Sequence, residues 1–557
     1  MPSALLTVDS DIAAAWREVS IRYPYADHSA VGPASLTLRK GEKLLLLGPS
    51  GSGKSTLLNA LTGLVPQTIP AKVDGSITLF EQDVRTKQPA EWARTVARFF
   101  QDADQTLCGM RVEDEVAFAL ENRALPEAEI AARVASAMEA VGLPASWRKR
   151  RTGTLSGGEK QLVALAATLA QDAPVFVADE PTAHLAPAAA KRLHQLIVDS
   201  DPSHTVLIVD HRLDSLIGSI DQVAVLGRDG AIFAKGAPAT LFRAHHDSLD
   251  ALGIWLPMAS RLDAALARIG LAPEEPPLTM AEIFHDLDGR PDGRNAFPAI
   301  EAFVADHSAT APSRDGTTVA RLSHAGCAPL FGPTILKNIS LEVRSGECLG
   351  ILGANGAGKS TLGASLAGLL RLSSGKREGA AGGIAFQNPE SQFISGSVRE
   401  EIAEALDRTR PLSDRLAQAE TIAAAWDLGG LEHRHPFELS QGQKRRLALA
   451  ALTATDRWPL LVLDEPTAGL DAHGAAMVAH RVEAIRRGGK AIALVTHDMD
   501  LALQLCSRSI VVGEGGIIAE GQTAALLQDK ALLERAGLAE PGIAPALHWM
   551  RRLETEC

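Results

Sequence analysis

Two glycine-rich segments of this chain have the residue types that bind phosphate groups. Each follows an apolar run, Leu44 to Leu47 or Leu349 to Leu352, and each ends in Gly-Lys-Ser. Glycines let backbone N–H groups turn towards phosphate oxygens, the lysine reaches the terminal phosphates, and the serine hydroxyl can ligate Mg²⁺. The pattern predicts two strand–loop–helix sites for ATP and Mg²⁺. The predicted phosphate-binding residues are Gly48, Pro49, Ser50, Gly51, Ser52, Gly53, Lys54, Ser55 and Thr56, then Gly353, Ala354, Asn355, Gly356, Ala357, Gly358, Lys359, Ser360 and Thr361.

Paired carboxylates end two further apolar runs. Asp179 and Glu180 follow Val175 to Ala178, and Asp464 and Glu465 follow Leu460 to Leu463. Taken alone, such a pair is as often only the polar end of a buried strand as it is part of a functional site. Beside a phosphate loop, the first acid is expected to hold the Mg²⁺ shell and the second to orient or deprotonate the attacking water.

Length and composition limit the architectures that could position these residues. A chain of 557 residues with 46% hydrophobic residues is too long for one core and predicts two to four domains. A net charge of −12 argues against a general nucleic-acid-binding surface. No apolar run of 18 residues and no signal-peptide pattern is present, which predicts a cytoplasmic protein. The five cysteines form no CxxC pair and are interpreted as free or buried thiols.

The two halves of the chain repeat one plan with one difference in length. The loop lysine and a glutamine lie 47 positions apart in the first half (54 to 101) and 28 apart in the second (359 to 387). About 19 residues near 77–93 therefore have no counterpart, which predicts a trimmed peripheral sheet in the second half. Amphipathic patterns predict an inserted helical subdomain in each half, with helices at 112–120, 127–141, 398–406 and 414–426.

These patterns predict an α/β protein with four parts. Residues 1–245 and 317–530 form the two nucleotide-binding domains, and residues 531–557 form a C-terminal helical appendix. Residues 246–316 form an acidic connector, rich in Pro and Ala and without lysine, that contains some helix. Residues 253–257 parallel residues 537–541, so each half is expected to end in a similar helical appendix.

A third pair of segments carries the family resemblance. Leu155-Ser156-Gly157-Gly158-Glu159 and Leu439-Ser440-Gln441-Gly442-Gln443 each introduce a predicted helix, and both resemble the signature motif of ABC-type ATPases. The resemblance implies two tandem P-loop NTPase domains, each with a mixed, mainly parallel sheet and a helical subdomain. It also implies that the halves pair head to tail, so that each ATP lies between the phosphate loop of one half and the signature of the other.

The same resemblance assigns roles to single residues. Gln101 and Gln387 would contact Mg²⁺ or water, and His211 and His497 the γ-phosphate. Tyr23, with Tyr25 as the alternative, would stack on adenine, and His324 is the weaker candidate in the second half. The first site would combine Lys54, Ser55, Gln101, Asp179, Glu180 and His211 with Ser440 and Gly442, and the second Lys359, Ser360, Gln387, Asp464, Glu465 and His497 with Ser156 and Gly158.

Two departures from the family pattern predict unequal sites. Where the family has an aspartate after the carboxylate pair, the second half has Asp471 but the first has Ala186. Gln441 stands where the signature has a glycine, and its side chain would narrow that pocket. Since both Glu180 and Glu465 are present, we expect two hydrolytic sites of unequal rate.

Two segments resemble a particular subgroup, the ATPases of energy-coupling factor (ECF) transporters. These are Phe386-Gln387-Asn388-Pro389-Glu390-Ser391-Gln392 and the ending Leu532 to Leu538 with Pro541; the first-half segment Phe100 to Gln105 matches less well. The resemblance implies a transmembrane coupling subunit and a membrane-embedded substrate-binding subunit as partners. It further implies a place on the cytoplasmic face of the cell membrane, and uptake of a vitamin, a vitamin precursor, or cobalt or nickel ions.

Three other classes remain as alternatives. A fused ATPase of a sugar or peptide importer would share fold and chemistry but would not explain residues 386–392. A ribosome-associated tandem ABC protein typically has a basic connector, whereas this one carries 12 Asp and Glu against five Arg. A DNA-repair ABC ATPase would show a coiled coil or a cysteine-ligated zinc insert, and the sequence pattern indicates neither.

Overall fold

The computed structural model describes residues 11–101, 103, 106–182, 185, 187–198, 203–309 and 316–556. They form two compact units, one mainly of residues up to 283 and the other mainly of residues from 284 onward. The predicted domain boundaries stay a prediction. Several residues of the sequence-based hypotheses lie outside the described residues, namely Asp102, Asp104 and Gln105 of the first glutamine segment, and Ala183, His184 and Ala186 after the first carboxylate pair.

The first half contains a parallel central sheet and an antiparallel peripheral sheet. The central sheet has the order β10-β9-β3-β8-β7-β6, in which only β10 is antiparallel to its neighbour, and the peripheral sheet has the order β2-β1-β4-β5. The strands are β1 (Ile12–Arg22), β2 (Val31–Arg39), β3 (Lys43–Leu47), β4 (Lys72–Leu79), β5 (Gln82–Asp83), β6 (Val96–Phe99), β7 (Val175–Asp179), β8 (Thr205–Val209), β9 (Gln222–Leu226) and β10 (Ile232–Gly236).

Buried parallel strands determine where the predicted site residues of this half lie. β7 and β8 are apolar and buried along their whole length, as strands covered on both faces are. Along β3, Leu44 and Leu46 pack into the core shared with the peripheral sheet, while Leu45 and Leu47 pack into the core under the helices. Because β3, β7 and β8 run parallel, their carboxyl ends meet at one edge of the sheet.

The helices of the first half and of the region that follows it confirm the predicted helical subdomain. The patterns at 112–120 and 127–141 correspond to α4 and α5, and residues 238–306 contain four helices, α8 to α11. The helices are α1 (Lys54–Leu61), α2 (Leu64–Gln67), α3 (Pro89–Trp92), α4 (Val112–Asn122), α5 (Glu127–Ala140), α6 (Gly157–Leu169), α7 (Pro187–Val198), α8 (Pro238–Ala251), α9 (Met258–Ala267), α10 (Met280–Gly289) and α11 (Phe297–Asp306).

The second half repeats this topology with a smaller peripheral sheet. Its central sheet has the order β15-β16-β17-β13-β18-β19, and its peripheral sheet, among the described residues, has three strands in the order β12-β11-β14. The trimmed sheet is thereby confirmed, since β14 leads within three residues to β15. The strands are β11 (Thr318–Cys327), β12 (Leu336–Arg344), β13 (Cys348–Leu352), β14 (Ser374–Gly379), β15 (Gly382–Ala385), β16 (Leu460–Asp464), β17 (Ala491–Val495), β18 (Arg508–Gly513) and β19 (Gly516–Gln522).

The helices of the second half match the predicted patterns within two residues. Those at 398–406 and 414–426 correspond to α13 and α14, and Gly537 ends α19 with a φ of 64°, as Gly253 follows α8 with a φ of 76°. The helices are α12 (Lys359–Ala367), α13 (Val398–Ala405), α14 (Leu412–Ala425), α15 (Gln441–Thr453), α16 (Ala472–Arg487), α17 (Met499–Leu505), α18 (Thr523–Leu526), α19 (Lys530–Ala536) and α20 (Ala544–Glu556).

Two further findings concern membrane spans and thiols. Among the residues that the structure describes, no helix combines the length and the apolar character needed to cross a membrane. Cys108 is an exposed free thiol, and Cys327, Cys348 and Cys506 are buried free thiols, as the cysteine spacing predicts.

Candidate functional site

The two glycine-rich loops place a helix N-terminus behind the predicted phosphate position. Gly53 and Gly358 precede α1 and α12 with φ values of 92° and 96°, a region that favours glycine. A Cβ atom on Gly53 would also lie 2.2 Å from the carbonyl oxygen of Ala30. The loops are therefore shaped for backbone amides and a helix dipole to face an anion.

Both loop lysines lie in equivalent positions. Lys54 Nζ donates to the carbonyl oxygens of Gly48 at 2.7 Å and Pro49 at 3.0 Å, and Lys359 Nζ donates to those of Gly353 at 2.8 Å and Ala354 at 3.0 Å. Burial lowers the pKa of Lys359, although Glu465 and Asp464 nearby favour its charged form. Each amine is thus held inside its own loop, within reach of bound phosphates.

Oxygen ligands suited to Mg²⁺ lie beside each loop. Asp179 ends β7 and Asp464 ends β16, and both are buried. Burial raises the pKa of both carboxyls, although hydrogen bonds from Ser55 and Ser360 favour the charged forms. A hydroxyl next to a carboxylate is a donor set that Mg²⁺ accepts, so these residues fit the predicted metal position.

Glu180 occupies a strained backbone position at the first site. Its φ is 46°, uncommon for a residue with a side chain, and its amide donates to the carbonyl oxygen of Val209. Gln101 Nε2 donates to Glu180 Oε2 at 2.8 Å, and His211 Nε2 lies 3.0 Å from Oε1. Burial alone would raise the pKa of Glu180, but the contact with His211 and the charge of Lys54 hold it below its usual range.

Glu465 has the same backbone strain but different partners. Its φ is 50°, and its Oε1 accepts from the His497 amide at 3.0 Å and lies 2.5 Å from His497 Nδ1. Thr496 Oγ1 donates to Oε2 at 3.1 Å. Burial opposes ionisation, but the contacts with His497 hold the pKa of Glu465 below its usual range. Gln387 is exposed, unlike the hydrogen-bonded Gln101.

The two signature segments form equivalent helix caps. Ser156 is the N-cap of α6, and its hydroxyl accepts from the Glu159 amide while Glu159 accepts from the Ser156 amide. Ser440 caps α15 in the same reciprocal way with Gln443. A Cβ atom on Gly157 would meet nothing within 4 Å, so the half-two replacement, the exposed Gln441, sits at a position with room for a side chain.

The structure also brings together residues that sequence motifs do not reveal. Asp210 is buried before His211, and its Oδ1 accepts from the amides of His211 and Arg212. Its Oδ2 lies 3.0 Å from Nε2 of the buried His194, and Thr182 donates to it. In the second half Thr496 takes the position of Asp210. In the sequence, the one sign of this difference is that the residue before the histidine is Asp210 in the first half and Thr496 in the second.

The aromatic candidates for adenine differ between the halves. Tyr23 donates to or accepts from Thr56 Oγ1 at 3.1 Å, next to the first loop, and Tyr25 is fully exposed with a φ of 61°. His324 lies within β11, where its Nδ1 is 2.8 Å from Asn338 Oδ1. Counting along β1 and β11 from their paired registers makes Phe331, exposed with a φ of 63°, the counterpart of Tyr25.

The ECF-like segment of the second half is held in a defined conformation. Asn388 Oδ1 accepts from the Glu390 amide at 3.1 Å, and Gln392 Nε2 donates to the Ala448 carbonyl oxygen at 3.2 Å. Lys444 Nζ donates to Glu390 Oε1 at 2.6 Å. Apolar side chains next to this segment face solvent: Ile394 is 79% exposed, and Phe437, whose ring lies 6.4 Å from that of Phe393, is 52% exposed. A polar loop thus borders an exposed apolar surface.

Comparison with known proteins matches both halves to one family. The family model described as ABC transporter matches residues 31–183 and 336–468. A protein of Methanosarcina mazei named "Putative ABC transporter ATP-binding protein" is 32% identical over 96% of this chain and 93% of its own. A protein of Bacillus subtilis named "Putative HMP/thiamine import ATP-binding protein YkoD" is 32% identical over 94% of each chain.

A solved structure supports the fold over nearly the full length. The structure described as RNase-L Inhibitor aligns with a TM-score of 0.59 over 94% of this chain and 93% of its own, at 19% sequence identity. At that identity the likeness concerns the fold alone.

Proposed function

The chain belongs to the ABC transporter ATP-binding family, and from that premise we propose that it is the energy-coupling ATPase of an ECF-type importer. As a family member it binds nucleotide and hydrolyses ATP. The proposal adds that hydrolysis drives uptake of a vitamin, a vitamin precursor or a transition-metal ion through separate membrane subunits. It places the chain at the cytoplasmic face of the cell membrane, held there by those subunits.

One observation carries the import assignment. The Bacillus subtilis relative whose name specifies HMP/thiamine import matches both halves together, over 94% of each chain. A likeness that spans both nucleotide-binding domains and the helices of residues 238–306 between them is more specific than a match to one nucleotide-binding domain. The ordered segment at 386–392, which resembles ECF ATPases, supports the same assignment.

The proposed chemistry assigns roles to the residues of each loop. The two glycine-rich loops with Lys54 and Lys359 bind the phosphates, and Asp179 and Asp464 with Ser55 and Ser360 hold Mg²⁺, which neutralises phosphate charge when bound. Glu180 and Glu465 orient the attacking water. Their lowered pKa values keep them ionised at neutral pH, which favours positioning a water by hydrogen bonding.

The remaining site residues act on the γ-phosphate and on the base. His211 and His497 carry a ring nitrogen next to each glutamate and are proposed to contact the γ-phosphate. Gln101 and Gln387 contact Mg²⁺ or water. Tyr23 contacts adenine at the first site, with Tyr25 and its second-half counterpart Phe331 as the alternative pair. We further propose that the halves pair within the chain when ATP binds, so that Ser440 and Gly442, or Ser156 and Gly158, complete each site. Only contacts made in the ATP-bound form would favour that pairing.

The decisive experiment is affinity purification of the full chain from detergent-solubilised native membranes, with identification of stoichiometric partners by mass spectrometry. We expect a multi-helix coupling protein and a small membrane-embedded binding protein. An Ile394→Asp variant should lose the coupling protein because it places a charge on the exposed apolar surface beside residues 386–392. Ile269→Asp, which charges another exposed isoleucine, is the matched control. Recovery with ribosomes, or without any membrane protein, would refute the importer assignment and leave the ATPase intact.

A further inference from the structure

A buried arginine faces the predicted Mg²⁺ ligand of the first half. Arg98 lies in β6, and its guanidinium is 3.4 Å from Asp179 Oδ2, with both side chains only 7% exposed. The other end of the guanidinium donates to Asn59 Oδ1 of α1 at 2.5 Å. Burial lowers the pKa of Arg98, although Asp179 favours its charged form, and an arginine stays protonated in proteins at neutral pH. The first site therefore contains a fixed positive charge beside its metal-binding carboxylate.

The second half has apolar residues at both positions. Counted from the shared glutamine, Arg98 corresponds to Ile384, and counted from the loop lysine, Asn59 corresponds to Ala364. A guanidinium is present there too, but it comes from another element. Arg445 of α15 donates to the main-chain carbonyl oxygens of Phe386 at 3.3 Å and of Asp464 at 3.5 Å. The carboxylate of Asp464 is thus approached differently from that of Asp179.

A cation that binds Asp179 must compete with this guanidinium. Two positive charges that share one buried carboxylate repel each other strongly, because little solvent screens them. Asn59 offers Arg98 a second acceptor, so the guanidinium keeps a hydrogen bond if it leaves the carboxylate. Arg98 thus has two partners, Asp179 and Asn59, and loss of the first contact leaves the second in place.

We propose that Arg98 is a positioning residue that makes the first ATP site depend on higher free Mg²⁺ than the second. The proposal rests on the proposed function, since it takes Asp179 and Asp464 as the metal-binding carboxylates. At low free Mg²⁺ the second site loads first, and the first site loads only when Mg²⁺ displaces the guanidinium. The presence of Arg98 in the first half and of Ile384 in the second, a difference outside the recognised motifs, would then set the order in which the two sites bind nucleotide.

The test measures coupling between metal and nucleotide without hydrolysis. In the full chain with Lys359→Ala, which leaves the first site as the nucleotide site, calorimetry gives the Kd of AMP-PNP with Mg²⁺ and with EDTA. The Kd in EDTA divided by the Kd in Mg²⁺ reports how strongly Mg²⁺ supports binding, and a larger ratio means stronger support. We expect Arg98→Ile to increase this ratio about tenfold, the size of effect that one neighbouring charge has on ionisation of a carboxyl. The double variant Arg98→Ile, Asn59→Ala introduces the residue types that the second half has at these positions, and it should increase the ratio by a similar factor.

The reciprocal variant keeps the test decisive if a first-half variant fails to fold. In the chain with Lys54→Ala, the double change Ile384→Arg and Ala364→Asn should lower the ratio at the second site about tenfold. Thermal unfolding of each variant separates a folding defect from a change in coupling. Unchanged ratios in both halves, with Mg²⁺ still strengthening AMP-PNP binding, would overturn the role of Arg98 alone. If Mg²⁺ has no effect in the parent chains, the metal assignment of the proposed function fails, and this inference fails with it.

Discussion

The glutamates that end β7 and β16 have equivalent backbones but different surroundings. Glu180 is held by Gln101 and His211 and its side chain is 19% exposed, whereas Glu465 is held by Thr496 and His497 and is 7% exposed. The histidines even present different ring nitrogens, Nε2 in the first half and Nδ1 in the second. A repeated motif thus places a carboxylate at the same backbone position in both halves, while the residues that fix its orientation differ.

The residue before each histidine shows how that variation arises. Thr496 hydrogen-bonds Glu465 directly, whereas Asp210 turns away from Glu180 towards Thr182 and His194. A carboxylate could not take the place of Thr496 without bringing two acidic groups together. In the first half, the buried His194–Asp210 pair therefore supports the turn that carries His211. Gln101, rather than the residue before the histidine, donates the hydrogen bond to Glu180. We expect this difference to give the two sites unequal rates.

The largest effect should come from removing both loop lysines. In the Lys54→Ala, Lys359→Ala double variant we expect ATP turnover to fall at least about 1000-fold, because neither site retains its charge on the phosphates. Each single variant should reduce AMP-PNP stoichiometry from two to one, measured by calorimetry. The exposed Lys337→Ala is the matched control and should bind two. Retention of two bound nucleotides in either single variant would show that the loop lysines do not define two separate sites.

The glutamates give the sharpest test of inequality. We expect Glu465→Gln to lower steady-state ATP turnover about 100-fold and Glu180→Gln only about threefold, measured at saturating Mg²⁺ and ATP. The reason is that Glu180 is the more solvent-exposed of the two carboxylates, at 19% against 7% for Glu465. Each amide variant preserves shape, so thermal unfolding should be little changed. If Glu180→Gln alone abolished turnover while Glu465→Gln had no effect, the assignment of two hydrolytic sites would be refuted.

A stability prediction addresses the buried pair of the first half. His194→Ala should lower the free energy of unfolding by about 2 kcal/mol, because Asp210 would be left buried without its histidine. The double variant His194→Ala, Asp210→Thr should recover much of this loss, since the second half uses Ala479 and Thr496 at these positions. Chemical denaturation measures both. An equal loss in the double variant would show that packing of the imidazole, rather than its partner, provides the stability.

The same pair predicts a pH dependence. Burial would raise the pKa of Asp210, but the contacts with His194 and the amide of Arg212 hold it below its usual range. A carboxyl with a lowered folded-state pKa stabilises the fold above its unfolded pKa, and this contribution is lost as the pH falls through the folded-state value. Denaturation midpoints below about pH 4 should therefore drop more steeply for the parent chain than for the His194→Ala, Asp210→Thr variant. Parallel curves would contradict an ionised Asp210.

Local motifs and distant contacts differ in how well a sequence predicts them. The phosphate loops, the strands that end in Asp179 and Asp464, and the helices near 112 and 398 were predictable because each depends on residues close in the chain. The contacts of Arg98 were not, since they join β6 to residues 39 and 81 positions away. The counterpart of Tyr25 became clear only from the strand pairings. The partners Ile21 and Val31 are ten positions apart in the first half, whereas Cys327 and Leu336 are nine apart in the second, so no single offset aligns both sides of the turn.

The smallest effect should be equal in the two halves, so it tests whether the difference between the halves extends to their signature segments. Ser156 and Ser440 cap α6 and α15 through matching reciprocal hydrogen bonds. Ser156→Ala and Ser440→Ala should each lower the free energy of unfolding by about 1 kcal/mol, the usual cost of an N-cap serine. Chemical denaturation of the two variants should give equal losses, with Ser→Thr variants near the parent value. A loss at Ser440 more than twice that at Ser156 would mean that Gln441 weakens the helix start, so that the inequality of the halves extends to their signature segments.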